Sequence, residues 1–395
     1  MQSKYRIILA SETYPPDVNG AAIFVKRLAT MLAENGHEVM VIVPGTTNKD
    51  KLEKVKPNLR EFRVKTISIK PIHPHFRAVW KAGLTKKIEK AVLDFKPDII
   101  HIHNHIMIGR TCLKVAKKHH IPIMGTNHFM PDNLIEYFPG FLSKTASHYM
   151  WMDFITVYNR LAYVTAPTHV ALKMIKDLGL KAPSEVISNG IDLSHFKKIK
   201  TDKKIYTKFG LTPETPIFLF VGRLEKDKNI DIVLRALALN KKKMDVQMIV
   251  VGEGRDANAF RRLADKLKLS DRVIFTGKVS DAVLEQLYSV ANVYIGSGSA
   301  ELQGLAVMEA MANGLPVLAA NAVALPELVK DGKNGYLFEL DPPDLARKMV
   351  RIMKDGKKLK AMAAQSLKLI KYHSKEKTRE SFEKLYGKLI KAGVY

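Results

Sequence analysis

Cysteine is nearly absent from this sequence, since the chain of 395 residues contains only Cys112. A single thiol forms neither an intramolecular disulfide nor a thiolate zinc site, which excludes small disulfide-linked folds and zinc ribbons. Long hydrophobic runs are also missing from the N-terminus, where the apolar segment Ile7–Ala10 is far shorter than a signal-peptide core or a membrane span. These absences predict a folded protein of a reducing, cytoplasmic compartment.

Acidic residues are few relative to basic ones, because 64 Lys and Arg against 39 Asp and Glu give a formal net charge of +25. Such an excess is typical of a nucleic-acid partner, an anionic membrane surface, or a surface that lysine simply keeps hydrated. Nine basic residues lie in two helical segments within residues 81–118, and eight aromatic residues follow within residues 134–163. This combination suits a lipid headgroup region, unless the aromatic residues form core and the lysines are solvated.

Two common nucleotide-binding motifs are missing as well. The chain contains no Gly-x4-Gly-Lys-Ser/Thr sequence, and no Gly-x-Gly-x-x-Gly follows the first predicted strand. Nucleotide hydrolysis of the Walker type and ordinary dinucleotide oxidoreduction therefore lose their main support. Gly252 and Gly254 form only an isolated Gly-x-Gly, which is more typical of a tight strand-to-helix turn.

Short β-branched segments alternate with amphipathic helical segments along both halves of the chain. This alternation predicts α/β architecture, with parallel sheets covered by helices. The first half predicts strands at Arg6–Ala10, Glu38–Val43, Arg63–Ile69, Ile99–His103, Pro122–Thr126, Tyr163–Ala166 and Glu185–Ile187. A lysine-rich linker is expected at His195–Lys208, after which the pattern restarts with strands at Ile217–Val221, Gln247–Val251, Val273–Thr276, Val293–Ile295, Val317–Ala319 and Gly335–Phe338. Two doubly wound sheets facing each other across a cleft are expected, with ligands at the carboxyl ends of the strands.

Three loops are candidates for binding an anion or a polyol. Asn19 and Gly20 lie where the first helix is expected to begin, which suits an anion, although an N-capped turn without a ligand is the alternative. Arg223 and Lys228 lie at a strand-to-helix turn, where they are suited to a diphosphate.

Glu301 and Glu309 flank the start of a later helix, with Glu309 about two turns into that helix among apolar residues. A carboxylate in such surroundings needs a hydrogen-bond donor, and a pair of ligand hydroxyls would supply one. The alternative for Glu309 is a surface glutamate on an amphipathic helix.

The order of these motifs resembles that of the retaining GT-B glycosyltransferases of family 4, from residue 5 to about residue 390. The motifs concerned are the Gly20 loop, His128, Asn189-Gly190-x-Asp192, Gly222-Arg223-x4-Lys228, Glu301-x7-Glu309 and Gly314-x-Pro316-Val317. The resemblance implies an acceptor-binding Rossmann-like domain at residues 1–193 and a nucleotide-sugar-binding Rossmann-like domain at 194–373. It also implies that a final helix, 374–395, returns to the first domain.

The same resemblance implies a role for each matching residue. The catalytic group would be His128, Glu301, Arg223 and Lys228. The donor would be bound by Gly20, Asn189, Arg223, Lys228, Gln303, Gly304, Leu305 and Glu309, and the acceptor side would include His103 and Asp132. One departure is Asn19-Gly20-Ala21, where the family often has Gly-Gly.

The resemblance implies that no metal is needed, and no Asp-x-Asp stands at the end of a predicted strand. No cofactor is expected either, because the nucleotide-sugar is itself a substrate. His101, His103 and His105 alternate along a predicted strand, but no acid or cysteine accompanies them, which makes zinc a poor expectation.

The segment Ala300-Glu301-Leu302-Gln303-Gly304 resembles the Glu-x-Gln-Gly of bacterial diacylglycerol glucosyltransferases, and residues 127–132 lie near their pattern. With the basic and aromatic first half, this favours transfer of a hexose from a UDP-glucose-type donor to a membrane lipid. The enzyme would be peripheral on the inner face of the cell membrane, with no nucleic-acid partner. The alternatives are a soluble sugar or polysaccharide acceptor, a GDP-mannose donor, a nucleotide-sugar epimerase, and a basic nucleic-acid-binding protein.

Overall fold

The computed structural model of the chain describes residues 3–17, 19–68, 77–130, 140–196 and 199–394. The chain forms two compact units, unit 1 (Met1–Asn189 with Glu376–Tyr395) and unit 2 (Gly190–Lys375). The predicted limits after residues 193 and 373 lie a few residues from these. The first unit ends earlier because the buried Ile191 is hydrogen-bonded within unit 2, donating to the His373 carbonyl at 2.7 Å and accepting from the Lys375 amide at 2.8 Å.

Unit 1 is built on an eight-stranded sheet in the order β10-β9-β8-β7-β1-β2-β4-β3. Its neighbouring strands are parallel except for the antiparallel pair of β3 and β4. The bounds are β1 (Arg6–Ala10), β2 (Glu38–Pro44), β3 (Lys51–Lys56), β4 (Leu59–Val64), a separate antiparallel pair of β5 (Thr66–Ser68) and β6 (Arg77–Val79), β7 (Ile99–Ile102), β8 (Ile123–Thr126), β9 (Tyr163–Ala166) and β10 (Ser184–Val186). The described helices of its first segment are α1 (Gly20–Glu34), α2 (Leu84–Phe95), α3 (Met107–Lys118), α4 (Gly140–Tyr158) and α5 (His169–Asp177).

Unit 2 contains a six-stranded sheet in the order β13-β12-β11-β14-β15-β16, in which all neighbours are parallel. Its strands are β11 (Ile217–Val221), β12 (Gln247–Val251), β13 (Val273–Gly277), β14 (Val293–Gly296), β15 (Val317–Ala320) and β16 (Gly335–Phe338). Its helices are α6 (Lys204–Phe209), α7 (Ile230–Leu239), α8 (Ala257–Lys266), α9 (Asp281–Val290), α10 (Leu305–Ala312), α11 (Leu325–Leu328), α12 (Pro342–Met353) and α13 (Gly356–Ile370). Short 3₁₀ turns lie at Lys226–Lys228 and Lys371–His373, and a last helix, α14 (Lys375–Ala392), follows. Two doubly wound parallel sheets confirm the predicted α/β fold class.

Two local predictions are wrong. The predicted strand Arg63–Ile69 is divided, because β4 ends at Val64 and the chain turns into β5 at Thr66. The predicted linker His195–Lys208 overlaps α6. Burial of Ile205 in the unit 2 core stabilises this short helix.

Three of the eight aromatic residues expected at a lipid surface are core residues instead, while Tyr137, Phe138 and the side chain of Phe141 lie outside the described part of the chain. Trp151, Phe154 and Tyr158 are buried on one face of α4, with ring centroids 5.6 Å apart for the first two and 3.9 Å apart for the last two. Their spacing of three and four residues places them on one side of the helix. Tyr149 differs, with 69% of its surface exposed. Among the described residues, no helix has both the length and the apolar character needed to cross a bilayer.

Helix α14 packs in unit 1, where Phe382 and Tyr386 join its hydrophobic core. The same helix contributes Glu383, whose side chain is only 1% exposed. One carboxylate oxygen of Glu383 lies 3.1 Å from His37 Nε2, and Arg379 Nη1 approaches both carboxylate oxygens at 3.1 and 3.2 Å. Burial lowers the pKa of His37 by more than Glu383 raises it, so a neutral imidazole meets the carboxylate. This buried polar cluster fixes α14 onto the sheet.

We expect Glu383→Ala to lower the free energy of unfolding of unit 1 by about 3 kcal/mol, because it leaves buried donors without their acceptor. Urea unfolding followed by tryptophan fluorescence would measure this change selectively, since the two tryptophans, Trp80 and Trp151, both lie in unit 1. The matched control is Glu380→Ala on the same helix, whose carboxylate is 62% exposed and should contribute about 0–1 kcal/mol. Equal unfolding midpoints for the two variants would contradict the expectation.

Candidate active site

The loop after β11 lies against the loop after β12 at a distance that only glycine permits. The Gly222 amide donates to the Val251 carbonyl at 3.0 Å, and the Leu224 amide donates to the Glu253 carbonyl at 2.9 Å. Gly252 has φ +133°, and a Cβ there would lie 1.9 Å from the Gly222 carbonyl oxygen. The isolated Gly-x-Gly of the sequence therefore belongs to a close backbone contact, which fixes the loop containing Arg223.

Arg223 follows this contact with its side chain toward solvent. The guanidinium is 43% exposed, and its Nη1 lies 2.7 Å from a carboxylate oxygen of Glu225. An exposed ion pair of this kind contributes little to stability and exchanges its partner easily. Arg223 is thus available to an anion at the carboxyl end of β11.

Lys228 is in a different environment, because its side chain is only 11% exposed. Its ammonium lies 2.7 Å from an oxygen of Asp227 and 2.7 Å from an oxygen of Glu301. Burial alone would lower the pKa of Lys228, but the two carboxylates together raise it. The amine is therefore held as a cation, compensated from two sides.

Hydrogen bonds between two loops bring Lys228 and Glu301 together. The Asp227 carbonyl accepts from the Ser299 amide at 2.9 Å, and the Lys228 carbonyl accepts from the Ser297 hydroxyl at 2.5 Å. Asn229 adopts a left-handed conformation with φ +50°, and its side-chain amide donates to the Ser297 carbonyl at 2.9 Å. These contacts join the turn after β11 to the turn after β14, so the ion pair depends on neighbouring parallel strands.

The start of α10 contains three of the six remaining predicted donor residues, Gln303, Gly304 and Leu305. Gln303 is buried, and Gly304 has φ +78° where a Cβ would lie 2.7 Å from a Leu325 methyl group. The helix begins at Leu305 without a side-chain cap. The first N–H groups of α10 have no acceptor within the helix and point out of its N-terminal end.

Glu309 lies on α10 with one carboxylate oxygen 2.9 Å from the hydroxyl of Tyr288. Tyr288 has no exposed surface, and burial, together with the charge of Glu309, raises the pKa of its hydroxyl well above the usual value. A fully protonated phenol therefore donates to Glu309 and orients it. Glu309 is half-buried and fixed, unlike the surface glutamate that was the alternative.

In unit 1, the loop after β1 begins α1 with a side-chain cap. The Asn19 side-chain oxygen accepts from the Ala22 amide at 2.9 Å, and the exposed Gly20 is the first helical residue. Nearby, a carboxylate oxygen of Glu12 accepts from the Ile108 amide, and burial raises the pKa of Glu12 to about 7. The N-capped turn is thus present, and the anion-binding role of Gly20 stays a prediction.

His128 follows β8 and is half-buried. Its Nε2 lies 3.3 Å from His103 Nδ1, and its ring centroid lies 4.9 Å from that of Phe24. Burial lowers the pKa of His128 to about 3, so the ring is neutral at physiological pH. Asn189, another predicted donor residue, is buried, and its carbonyl accepts from Arg27 at 2.7 Å.

Two predictions for the acceptor side fare differently. His103 has no solvent-accessible surface, which does not fit a direct contact with an acceptor. His103 directly follows β7, and its side chain is buried because its ring stacks on that of His128. Asp132 lies outside the described residues.

The three alternating histidines bind protein groups. His101 lies between the Tyr386 and Thr126 hydroxyls, at 2.7 Å from each, and His105 packs edge-on against Phe129. Within the described ranges, no three side chains of the metal-binding types converge.

Two residues of the unit 2 site were missed by the sequence. Asp227 stands in a run of alternating charges that resembles any solvated turn, and only the structure shows its carboxylate on the Lys228 ammonium. Tyr288 lies on another helix, 21 residues before Glu309, with no motif that links them. A search for polar residues on apolar helix faces would have found Tyr288 as a candidate.

Two family models divide the chain between them. The model described as Glycosyltransferase Family 4 matches residues 18–195, and the model described as Glycosyl transferases group 1 matches residues 202–369. The alpha-monoglucosyldiacylglycerol synthase of Acholeplasma laidlawii is 29% identical over 394 residues, with 98% of this chain and 97% of the relative covered. The enzyme of the same name from Streptococcus pneumoniae is 29% identical, covering 84% of this chain and 75% of the relative.

Solved structures share the fold at low sequence identity. Sucrose-phosphate synthase from Thermosynechococcus elongatus superposes with a TM-score of 0.81 at 20% identity, covering 98% of this chain and 100% of that one. The HepE protein of Anabaena, in complex with UDP and glucose, gives 0.75 at 19% identity, covering 97% and 99%. The predicted GT-B fold is therefore confirmed, and the chain belongs to the family 4 glycosyltransferases and is a glycosyltransferase enzyme.

Proposed function

We propose that the enzyme is a retaining hexosyltransferase that transfers glucose from UDP-glucose to diacylglycerol. The main support is the similarity to alpha-monoglucosyldiacylglycerol synthase along 98% of this chain and 97% of that relative. A second support is the unit 2 site, which combines two cations with two oriented glutamates. The nucleotide-sugar is the substrate, and no cofactor or metal is part of the proposal.

The donor diphosphate is assigned to Arg223 and Lys228. The planar guanidinium of Arg223 suits two oxygens at once, and the Lys228 ammonium acts as a point charge. Both cations are paired with carboxylates, so binding exchanges one anion for another. A diphosphate fits this exchange, because it offers each of the two cations a negatively charged oxygen in place of the carboxylate.

The remaining donor contacts follow from chemistry at α10. Glu309, held by Tyr288, is assigned to the ribose hydroxyls, because a carboxylate oxygen accepts from a vicinal diol. Glu301 is assigned to the donor sugar once Lys228 turns to the phosphate. Gln303, Gly304 and Leu305 would supply amides beside the sugar hydroxyls.

Retention of configuration results from attack on the same face of the anomeric carbon from which the phosphate departs. The acceptor oxygen bonds to the anomeric carbon as the bond from that carbon to the phosphate oxygen breaks, and the departing phosphate takes the acceptor's proton. Negative charge grows on the leaving diphosphate, so Arg223 and Lys228 bind the transition state more tightly than the substrate. No enzymic nucleophile is required.

A surface formed by α3 and α4, which we call the α3–α4 face, suits an anionic membrane. Arg110 on α3 pairs with Asp153 on α4, which joins the two helices. Exposed apolar residues lie beside this pair, and exposed lysines continue along α3: Ile106, Tyr149 and Met152 with Lys114, Lys117 and Lys118. Basic charge with exposed apolar side chains is typical of a peripheral membrane surface, here on the inner face of the cell membrane.

Other relatives keep a second candidate open. The N-acetyl-alpha-D-glucosaminyl L-malate synthase of Bacillus anthracis is 26% identical, covering 95% of this chain and 96% of the relative, and its name indicates a soluble acceptor. A GDP-mannose-dependent alpha-mannosyltransferase of Corynebacterium glutamicum is 24% identical, covering 85% and 77%. A soluble acceptor or a GDP-mannose donor is therefore the alternative.

The proposed function predicts glucosyl transfer from UDP-glucose to diacylglycerol in phosphatidylglycerol vesicles, with an α-linked product. The measurement is radiolabelled glycolipid formation in a matrix of UDP-glucose and GDP-mannose against lipid vesicles and soluble sugars. Transfer only to a soluble acceptor, or only from GDP-mannose, would replace the proposal with the alternative. Donor turnover that is independent of any acceptor would indicate an epimerase.

The site assignment predicts different kinetic defects for two substitutions. Glu309→Ala should raise the donor KM by about tenfold with a smaller change in kcat, because it removes ground-state contacts to the ribose. Lys228→Ala should lower kcat by about a hundredfold or more, because its charge acts on the leaving group. Steady-state kinetics would check both, with the exposed Lys226→Ala as the matched control. Wild-type kinetics in both variants would remove the assignment.

The α3–α4 face predicts that Lys114→Glu weakens binding to anionic vesicles by roughly tenfold, because each basic residue near such a surface contributes about 1 kcal/mol. Co-sedimentation with phosphatidylglycerol vesicles at several salt concentrations would measure this. Lys360→Glu makes the same charge change at an exposed position of α13 in unit 2 and serves as the control. If Lys114→Glu and Lys360→Glu weakened vesicle binding equally, the net charge of the protein would explain the binding, and the assignment to the α3–α4 face would be contradicted.

A further inference from the structure

His128 contacts His103, whose complete burial does not fit its predicted place on the acceptor side. His103 Nδ1 lies 3.3 Å from His128 Nε2, and the two rings are stacked with their planes 27° apart. Phe24 packs against both rings, with centroid distances of 5.7 and 4.9 Å. One of these two nitrogens therefore carries the proton of the hydrogen bond and the other accepts it. Packing against Phe24 restrains the mutual orientation of the two rings.

The frame behind His103 is rigid. The His101 ring lies 4.1 Å from the His103 ring, centroid to centroid. His101 is itself fixed at both nitrogens, by Tyr386 of α14 and Thr126 of β8. His103 is therefore held by packing on its neighbours, and its side chain has no solvent-accessible surface.

Burial decides which nitrogen of His103 carries the proton. Both rings are neutral, because burial lowers the pKa of His103 well below its usual value and that of His128 to about 3. His103 Nε2 is buried and has no hydrogen-bond partner among the residues that the structure describes. A proton there would be an orphaned buried N–H, which costs more than an unused lone pair. The proton of His103 therefore belongs on Nδ1, the nitrogen that faces His128.

We propose that His103 is a positioning residue for His128, donating from Nδ1 to His128 Nε2 and so fixing both the ring orientation and the tautomer of His128. The proton of His128 then resides on Nδ1, which is left as the donor that the ring offers to a ligand. The catalytic consequence of this arrangement rests on the proposed function, in which His128 keeps the catalytic role that the family resemblance implies.

The tautomers can be read directly, without any substrate. Nitrogen NMR of the whole chain labelled at its histidine rings distinguishes a protonated from an unprotonated ring nitrogen, and the signals are assigned by their loss in His103→Asn and His128→Ala. We expect a protonated Nδ1 and an unprotonated Nε2 on both His103 and His128 at neutral pH. A proton on His128 Nε2 would overturn the proposal.

Kinetics provide the second measurement. His103→Leu should lower kcat by about tenfold to a hundredfold while leaving the donor KM nearly unchanged, because the reacting geometry is lost but donor binding is not. His103→Asn places an amide N–H where Nδ1 lies and should restore most of kcat. His119→Asn, at the end of α3, is the matched histidine control. Wild-type kcat in His103→Leu would overturn the proposal, and so would equal defects in the Leu and Asn variants.

The two experiments separate this inference from the proposed function. Full activity of His128→Ala would remove His128 from the catalytic group, while the NMR measurement would still decide whether His103 sets its tautomer. If His103→Leu failed to fold, the wild-type tautomers and the kinetics of His103→Asn would still test the proposal.

Discussion

The ammonium of Lys228 is held between the carboxylates of Asp227 and Glu301, and the arrangement of unit 2 around its site follows from this requirement. A cation that is 11% exposed loses most of its hydration, which would favour the neutral amine if the carboxylates were absent. Two oxygens at 2.7 Å restore the balance and keep the charge. The two carboxylates thus keep the buried ammonium charged before any ligand binds, and an incoming anion can then replace one of them. In the proposed reaction, that anion is the donor diphosphate.

The same requirement explains why the loops are so closely joined. Asp227 and Lys228 lie after β11, and Glu301 lies after β14, so their contact needs two strands that are adjacent in the sheet but distant in sequence. Hydrogen bonds from Ser297 and Ser299 to the backbone of the first loop fix this contact. Parallel sheets bring the carboxyl ends of neighbouring strands to one edge, and the ion pair uses that geometry directly.

The sequence predicts the buried parallel strands well, because strands covered on both faces are continuous apolar runs. Ile217–Val221 and Gln247–Val251 have the predicted bounds. β3 was missed, because Lys51–Lys56 is largely exposed and lacks an apolar pattern. A sequence that is lysine-rich throughout gives no local sign of which lysines lie in a strand.

The site is predictable to the extent that its spacing is local. Arg223 and Lys228 share one turn, and Glu301 and Glu309 flank one helix start, so their patterns are visible in sequence. Tyr288 is not visible in this way, since its hydrogen bond to Glu309 joins two different helices, α9 and α10. His103 was expected at the acceptor, and its burial is a tertiary property that strand alternation did not reveal.

A neutral His128 and a charged Lys228 suit opposite ends of the proposed reaction. As the glycosidic bond to phosphate breaks, negative charge develops on the diphosphate and positive charge on the anomeric carbon. A cation is therefore favourable beside the diphosphate and unfavourable beside the anomeric carbon. Lys228 is kept charged by carboxylates, whereas burial lowers the pKa of His128 to about 3 and keeps it uncharged. A hydrogen-bond donor without charge can orient a sugar hydroxyl without opposing the charge that develops on the ring carbon, and in this proposal His103 acts on the reaction only by positioning that donor.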